Sequence, residues 1–231
     1  MKILAIDSTS AAASAAVVQD GSLLGEIYVN FKLKHSEKLL PMIDQLLCDL
    51  RLTLNEIDCY AACCGPGSFT GLRIGAAAVK ALAHGTDRKI ISVSSLEACA
   101  YGQLPYEGYV CSIFDARRDE FYSSCFYLSG GKLTRLSEDT VCRLDVAAAC
   151  IPQGEKILFC GDGIFEYKDA AVSMYADRAL FCPPEYVYPR ASAAALLACG
   201  RFSDAVKYSY TDFMPDYLRA VHARKTVQTD E

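Results

Sequence analysis

One stretch constrains the fold more than any other, the motif GPGSFTGLRIG at residues 65–75. It follows an apolar run at residues 60–64 and leads into a run of small residues at 75–83. That order predicts a buried strand, a tight turn and a helix, because glycine permits backbone angles that a Cβ forbids and Pro66 stiffens the turn. Ser68 or Thr70 is predicted to cap the start of the helix.

Three interpretations of this turn and helix stay open. Free amides and the positive end of the helix dipole favour an anion such as phosphate. Small residues along the helix favour the close approach of a second helix, from this chain or from another protein. In the third interpretation the helix packs only against its own sheet. The motif is not a P-loop, since it lacks Gly-Lys-Ser/Thr, and it lacks the Gly-x-Ser-x-Gly spacing of a nucleophile elbow.

Composition excludes several classes of protein. The chain has 231 residues, of which 52% are hydrophobic and 22% charged, so we expect an ordered globular protein of one large domain or two small lobes. No apolar stretch reaches membrane-spanning length, and the chain leads from Met1 straight into a strand pattern, so no membrane contact and a cytoplasmic location are expected.

The net charge of −5 argues against a protein that grips nucleic acid by itself. Basic groups cluster only at Arg117 and Arg118 and near the end of the chain, and such clusters usually form a solvated surface. The clustered basic residues near the end are Arg219, His222, Arg224 and Lys225. Any role in RNA chemistry is therefore expected to depend on another subunit.

The twelve cysteines do not form a recognisable disulfide or metal pattern. Most lie singly inside apolar runs, and no Cys-x-x-Cys pair occurs. We expect reduced thiols that serve as small hydrophobic side chains.

The chain begins with a strand at residues 2–7, a polar turn, and two further strands at 11–19 and 23–30 joined by a hairpin. A strand that ends in Asp7 before a Ser/Thr turn resembles the first phosphate loop of the actin, Hsp70 and sugar-kinase superfamily. Such loops normally carry a glycine, and residues 8–10 have none. Asp7 is therefore either a phosphate-loop acid or a strand-end residue that caps the turn.

Residues 35–51 predict an amphipathic helix, bent or started by Pro41. Its apolar face is broad, which indicates either deep burial or contact with a second protein. His35 has Leu39 one turn later, and the other histidines are His84 and His222, so no pair has the spacing of metal ligands and no metal site is expected.

Residues 58–64, 65–84 and 90–94 predict a parallel strand–helix–strand unit, followed by a short helix that ends near residue 100. The second half predicts strands at 109–114, 120–128, 133–136 and 156–160, a helix from the GDG motif to about residue 167, and an alanine-leucine helix at 191–202. Each half combines hairpin strands with a crossover helix. A duplicated α/β architecture of mixed sheets flanked by helices follows.

Taken together, these motifs resemble the TsaB (YeaZ) family, the partner subunit of the bacterial tRNA threonylcarbamoyladenosine machinery. The resemblance extends in order over nearly the whole chain, and the 65–75 stretch is its most specific part. The other matching motifs are IDST (6–9), HSEKLLP (35–41), DARR (115–118) with Tyr122, GDG (161–163) and PDYLR (215–219).

The resemblance implies an actin-like, two-lobed fold shared with TsaD, the catalytic paralogue. TsaD-like proteins carry a His-x-x-x-His metal pair, and the matching positions here are His35 and Leu39. One imidazole cannot form that chelate, so the chain is expected to transfer no carbamoyl group and to need no metal or other cofactor. The degenerate nucleotide loops match Asp7, Ser8, Thr9, Asp115, Gly161 and Gly163.

The family role is assembly. The resemblance implies pairing with a TsaD-like subunit through helices of the N-terminal lobe, together with a TsaE-like ATPase, with tRNA contacted mainly through the complex. The same surface could form a homodimer in the isolated protein. The predicted interface residues are Leu39, Leu40, Ile43, Leu47, Gly71, Leu72, Ile74, Gly75, Ala77, Ala78 and Ala81.

We expect an N-terminal lobe at residues 1–103, a C-terminal lobe at 104–225 whose 191–203 helix packs back on the first lobe, and a frayed tail at 226–231. Other function classes stay open at this point. A sugar-kinase-like ATPase would use Asp7 and Asp115 in a cleft, although Arg117 and Arg118 crowd the second turn. A peptidase would need a triad or a zinc pair that the sequence does not display. A structural dimer outside any RNA pathway is the last alternative.

Overall fold

The computed structural model describes residues 1–30 and 35–218. The strands in this part of the chain are β1 (Lys2–Asp7), β2 (Ala13–Gln19), β3 (Ser22–Val29), β4 (Cys59–Gly65), β5 (Lys89–Ser94), β6 (Gly108–Asp115), β7 (Phe121–Ser129), β8 (Lys132–Arg135), β9 (Thr140–Cys142), β10 (Ile157–Cys160), β11 (Ala179–Phe181) and β12 (Lys207–Tyr208). The helices are α1 (His35–Leu50), α2 (Phe69–Thr86), α3 (Ser95–Tyr101), α4 (Leu144–Ala147), α5 (Ile164–Tyr175) and α6 (Ala191–Gly200).

Two sheets repeat one topology. The first has the order β3-β2-β1-β4-β5-β12, and the second has β8-β7-β6-β10-β11, with β9 paired to β7. In each sheet three strands form an antiparallel meander, and the first of them pairs in parallel with a later strand. The predicted mixed α/β architecture, two-lobed and duplicated as in the actin-like fold, is confirmed. The loops after β1 and β4 therefore correspond to the loops after β6 and β10.

The central strands β1, β2 and β4 of the first sheet are buried on both faces. Alternate side chains of β1 point to opposite sides, so Leu4 and Ile6 pack against α1 and α2 while Ile3 and Ala5 pack against α6. Burial on both faces explains why β1 and β4 are apolar runs rather than alternating ones.

α6 packs on the first sheet although it follows the second sheet in sequence. Five of its alanines are buried, which lets its backbone lie close to β1 and β2. Two side chains of the first sheet cap its N-terminus. The Ala191 amide donates to Ser14 Oγ at 2.8 Å, and the Ser192 amide donates to Glu26 Oε1 at 2.9 Å. These caps are 177 and 166 residues away in sequence, so no local sequence pattern predicts them.

α2 begins as predicted, with Ser68 rather than Thr70 as the N-cap. Ser68 Oγ accepts a hydrogen bond from the Gly71 amide at 3.3 Å. Behind this turn the glycines of the motif lie against the loop that follows β1. A Cβ on Gly71 would clash with the Ser8 carbonyl oxygen, one on Gly67 with the Thr9 carbonyl oxygen, and one on Gly75 would lie 2.6 Å from Ser8 Oγ. The motif spacing is therefore a packing requirement of α2 against residues 8–9.

The cysteines are all free thiols, and all twelve fall within the described ranges. Seven of them are buried, in agreement with their expected use as small hydrophobic residues. Cys48 and Cys150 are exposed, so the expectation is wrong for these two.

The structure differs from the sequence prediction mainly in the second half. α5 extends to Tyr175 rather than to about residue 167. Its outer side carries exposed Phe165, Val172 and Met174, which removes the polar face that normally reveals a helical period. The short elements β9, α4, β11 and β12 were not predicted, because segments of two to four residues show no periodicity.

Two further findings concern the expected absence of a membrane span and the last residues of the chain. No helix in the described residues is both long and apolar enough to cross a membrane. The expected frayed tail at 226–231 and the basic residues Arg219, His222, Arg224 and Lys225 lie outside the described residues.

The packing of α2 predicts opposite outcomes for two Gly→Ala substitutions in the same helix. Gly71→Ala places a methyl group on the Ser8 carbonyl and is expected to lower the free energy of unfolding by at least about 3 kcal/mol. Gly85→Ala adds a methyl group with nothing within 4 Å, and we expect a gain of up to about 1 kcal/mol. Urea unfolding followed by circular dichroism measures both. Equal effects of the two substitutions would contradict the packing account.

Candidate functional site

A cleft of about 550 Å³ lies where the two sheets meet. The loops after β1 and β4 form one wall, and the corresponding loops after β6 and β10 form the other. Phe69 and Tyr122 contribute aromatic rings, and hydroxyl groups contribute much of the polar lining. The lining residues are Thr9, Ser10, Ala11, Gly67, Ser68, Phe69, Thr70, Phe114, Asp115, Ala116, Arg117, Tyr122 and Asp162.

The first loop of the cleft uses its polar groups internally. Ser8 Oγ donates to the Gly71 carbonyl at 2.9 Å, and the Thr9 hydroxyl donates to Asp7 Oδ1 at 2.7 Å. The Thr9 carbonyl accepts from the Ser68 amide at 2.7 Å. Of the predicted loop residues, Thr9 lines the cleft, whereas Asp7 and Ser8 are buried beneath it. With these groups already bonded within the protein, the geometry of residues 7–9 gives a phosphate little to bind.

Asp7 is the buried carboxyl group of this loop, at 1% exposure. Its Oδ1 also accepts from the Thr9 amide at 3.2 Å, so Asp7 caps the turn as a strand-end residue. Its Oδ2 is buried with no hydrogen-bond partner among the described residues. Burial raises the pKa of Asp7 to about 6, against the opposing effect of the hydrogen bonds from Thr9.

The second loop is built around three consecutive residues with left-handed backbone angles, Arg117, Arg118 and Asp119 at φ of 66°, 60° and 60°. Such angles are unfavourable for residues other than glycine. Asp115 Oδ1 accepts from the Arg117 amide at 2.7 Å and holds the turn. The Asp115 carboxylate and the Arg117 side chain both reach the cleft.

The GDG motif after β10 places a third charged group in the cleft, Asp162. Gly161 and Gly163 do not line it. Both lie against the Ile113 carbonyl of β6, where a side chain on Gly161 would clash. Asp162 Oδ1 accepts from the Asp115 amide at 3.1 Å, and burial raises the pKa of Asp162. Sequence analysis missed Asp162 as a cleft residue, although its position between two glycines was a usable signal.

The positions that match a histidine metal pair have separate environments. His35 Nε2 lies 2.9 Å from the Ser10 carbonyl oxygen, so the ring is oriented by the first loop. Leu39 is 1% exposed and packs in the core of α1 and the first sheet. In the part of the chain that the structure describes, no group of three or more His, Cys, Asp or Glu side chains is placed to hold a metal ion.

A second candidate surface is the outer face of α1 and α2. The structure separates the predicted interface residues into two sets. One set is already buried within this chain and consists of Leu39, Ile43, Leu47, Gly71, Leu72, Gly75 and Ala78. The other is open to a second protein and consists of exposed Leu40, Ala77 and Ala81 with half-buried Ile74. The broad apolar face of α1 is therefore mostly core.

An apolar groove of about 370 Å³ adjoins this surface. It lies between α1, the loop at residues 52–54 and Leu82 of α2. Asp44, Thr53 and Cys48 are its more polar members, and leucines dominate the rest. The lining residues are Leu40, Ile43, Asp44, Leu47, Cys48, Leu52, Thr53, Leu54 and Leu82. Ile43 and Leu47, although largely buried, thus form part of the groove wall.

A C-terminal strap at residues 209–218 lies along α2 in the antiparallel direction, which sequence analysis did not anticipate. Tyr210 stacks on His84 with ring centroids 4.3 Å apart, and Tyr217 packs on Phe69 at 5.4 Å. Between them, Lys80 Nζ donates to the Phe213 carbonyl at 3.1 Å. The strap also carries Met214, whose side chain is largely exposed.

Comparison with known proteins gives consistent matches. The family model "TsaD: tRNA N6-adenosine threonylcarbamoyltransferase" matches residues 30–226. The tRNA threonylcarbamoyladenosine biosynthesis protein TsaB of Bacillus subtilis is 29% identical over 224 residues, 96% of each chain. TsaB of Haemophilus influenzae is 37% identical over 128 residues, 54% of this chain and 53% of its own. The solved structure of YeaZ from Pseudomonas aeruginosa has a TM-score of 0.81 and 27% identity, covering 94% of this chain and 99% of that one.

Burial of Asp7 predicts a pH-dependent cost to stability. Its pKa in the folded protein is about 6, above the ordinary value of 3.8, so the protonated form favours folding. The associated stability is present below about pH 4 and is lost as the pH rises through 6, a change of about 3 kcal/mol. Asp7→Asn removes this pH-dependent contribution to the free energy of unfolding.

We therefore expect the substitution to be more favourable at pH 7.5 than at pH 4 by about 1–3 kcal/mol in the free energy of unfolding. Urea unfolding at the two pH values measures the difference. Asp44→Asn, at an exposed position of α1, is the control and should show the same effect at both. A pH-independent effect of Asp7→Asn would contradict the assignment of a buried carboxyl with a raised pKa.

Proposed function

The chain belongs to the TsaB (YeaZ) family of tRNA threonylcarbamoyladenosine biosynthesis, and we propose that it serves there as a non-catalytic subunit. In this proposal it binds and supports a TsaD-type catalytic subunit, together with a TsaE-type ATPase. The complex modifies the adenosine beside the anticodon, and tRNA is held mainly through the other subunits. The chain acts in the cytoplasm and has no independent activity.

The observation that carries the proposal is the open surface of α1 and α2. Ala77 and Ala81 are exposed within the small-residue run of α2, and exposed Leu40 lines the apolar groove. Small residues allow the backbone of a second helix to come close, while the groove can receive its larger apolar side chains. A helix pair from a similar lobe would complete such a contact.

The type of partner follows from the match to the TsaD family model over residues 30–226. A TsaD-type chain is expected to have a comparable first lobe, so two similar helix pairs can meet in a pseudo-twofold arrangement. The same geometry permits a homodimer of the isolated chain. In this proposal residues 1–103 form the lobe that contacts the partner, and residues 104–225 form the second lobe.

The absence of catalysis is proposed from the residues at two positions. Leu39 occupies the place of a second histidine and is committed to the core, so His35 has no partner for the metal pair of TsaD-like proteins. The Ser8 and Thr9 hydroxyls are bonded within the protein and do not serve a nucleotide phosphate. The bonded hydroxyls disfavour the alternative of a sugar-kinase-like ATPase.

The interface predicts a charge-sensitive complex. Ala77→Glu or Leu40→Glu buries an uncompensated carboxylate against the partner helices and should weaken binding of a TsaD-type subunit at least about 30-fold. Val172→Glu is the matched control, because it places the same charge on an exposed apolar site of α5 in the second lobe. Isothermal titration calorimetry with the purified TsaD-type subunit measures the affinity. Unchanged binding by both interface variants would contradict the proposal that this surface binds the partner.

A further inference from the structure

A separate pocket lies at the end of the second sheet away from the cleft. β6 starts beside this pocket at Gly108, whereas Asp115 at its other end lines the cleft. The pocket has a volume of about 320 Å³, which is the size of a small-molecule site. Three tyrosines, Tyr106, Tyr109 and Tyr127, form much of its wall. None of the features assigned to TsaD binding or to the cleft involves these residues.

The aromatic wall is held by the strand pairing and by a glycine. Tyr109 and Tyr127 are directly opposite each other on β6 and β7, with ring centroids 4.8 Å apart and planes tilted by 55°. Tyr106 packs over Gly108, where a Cβ would lie 3.0 Å from the Tyr106 hydroxyl. Gly108 also has φ of +132°, an angle that side chains rarely adopt. The glycine thereby leaves room for the Tyr106 ring at the edge of the pocket.

The rim of the pocket carries negative charge. The Glu107 carboxylate accepts from the Gly130 amide with both oxygens, at 3.0 and 3.1 Å, which fixes its position. Glu155 also lines the pocket and is exposed. The one lysine of the lining, Lys156, donates to the Asp177 carboxylate at 3.2 Å, so its charge is already paired. Two carboxylates and three aromatic rings therefore face a shared space.

We propose that this pocket binds a small organic cation that carries N-methyl groups, such as a quaternary ammonium. Aromatic rings attract such cations through their electron-rich faces, and the methyl groups add apolar contact with the rings. The carboxylates at the rim supply the counter-charge and repel phosphates and nucleotides. The proposal is independent of the partner role, because the pocket and the α1–α2 surface lie on different lobes.

The test uses choline as the probe and 3,3-dimethylbutan-1-ol as its neutral isostere. Proton NMR follows the N-methyl signal of choline as protein is added, since protons seated against aromatic rings shift upfield. We expect a saturable upfield shift with a dissociation constant in the millimolar range or below, and no saturable shift for the isostere. Equal binding of the two probes would show a merely apolar pocket and overturn the proposal, as would no saturable binding of choline.

Substitutions then locate the site. Tyr127→Leu keeps an apolar side chain but removes one ring, and we expect about fivefold weaker choline binding. Glu155→Gln removes one charge at an exposed position and should also weaken binding. Tyr210→Leu removes a comparably exposed tyrosine from the strap in the first lobe and should leave binding unchanged. Binding that is lost in Tyr210→Leu, or retained at full strength in both pocket variants, would overturn the assignment.

Discussion

The close packing of α2 against the loop after β1 is the contact on which the rest of the structure depends. Glycines at 67, 71 and 75 bring the helix so near that Ser8 and Thr9 bond directly to its first turn. This contact forms one wall of the cleft and occupies the Ser8 hydroxyl. It also fixes which side of α2 faces outward, so that Ala77 and Ala81 are left exposed. The second lobe has a similar close contact at glycines, since Gly161 and Gly163 lie against β6.

This arrangement supports the proposed role of the chain as a non-catalytic subunit. A phosphate-binding loop needs unpaired donors that face the cleft, and here the Ser8 hydroxyl is bonded to Gly71 of α2 and the Thr9 hydroxyl to Asp7. Asp7, which stays buried beneath the loop with one unpaired oxygen, costs stability at neutral pH. The cleft is still lined by charged residues, but the open apolar surface lies elsewhere, on α1 and α2.

Much of this fold could be predicted from sequence because its signals are local. The 65–75 motif predicted its own strand, turn and helix, and Ser68, one of the two residues expected to cap α2, is its N-cap. The alanine-rich α6 was recognised as a helix, but its caps, Ser14 and Glu26, come from another part of the chain and leave no local trace. The predicted interface residues on α1 include Leu39, Ile43 and Leu47, which the structure buries, because a broad apolar face cannot show which side chains the core will take. Leu40 differs from Leu39 only in its direction on the helix, and tertiary packing decides which one is exposed.

The most direct test of the account is depletion and add-back in a reconstituted tRNA modification reaction. The mixture contains TsaD-type and TsaE-type proteins, the adenylate-forming enzyme, ATP, threonine, bicarbonate and a substrate tRNA, and the measured quantity is threonylcarbamoyladenosine in the tRNA. The account predicts that modification stops without this chain and returns when it is added, while the chain alone modifies nothing. Modification that proceeds equally well in its absence would contradict the proposed role as a required subunit.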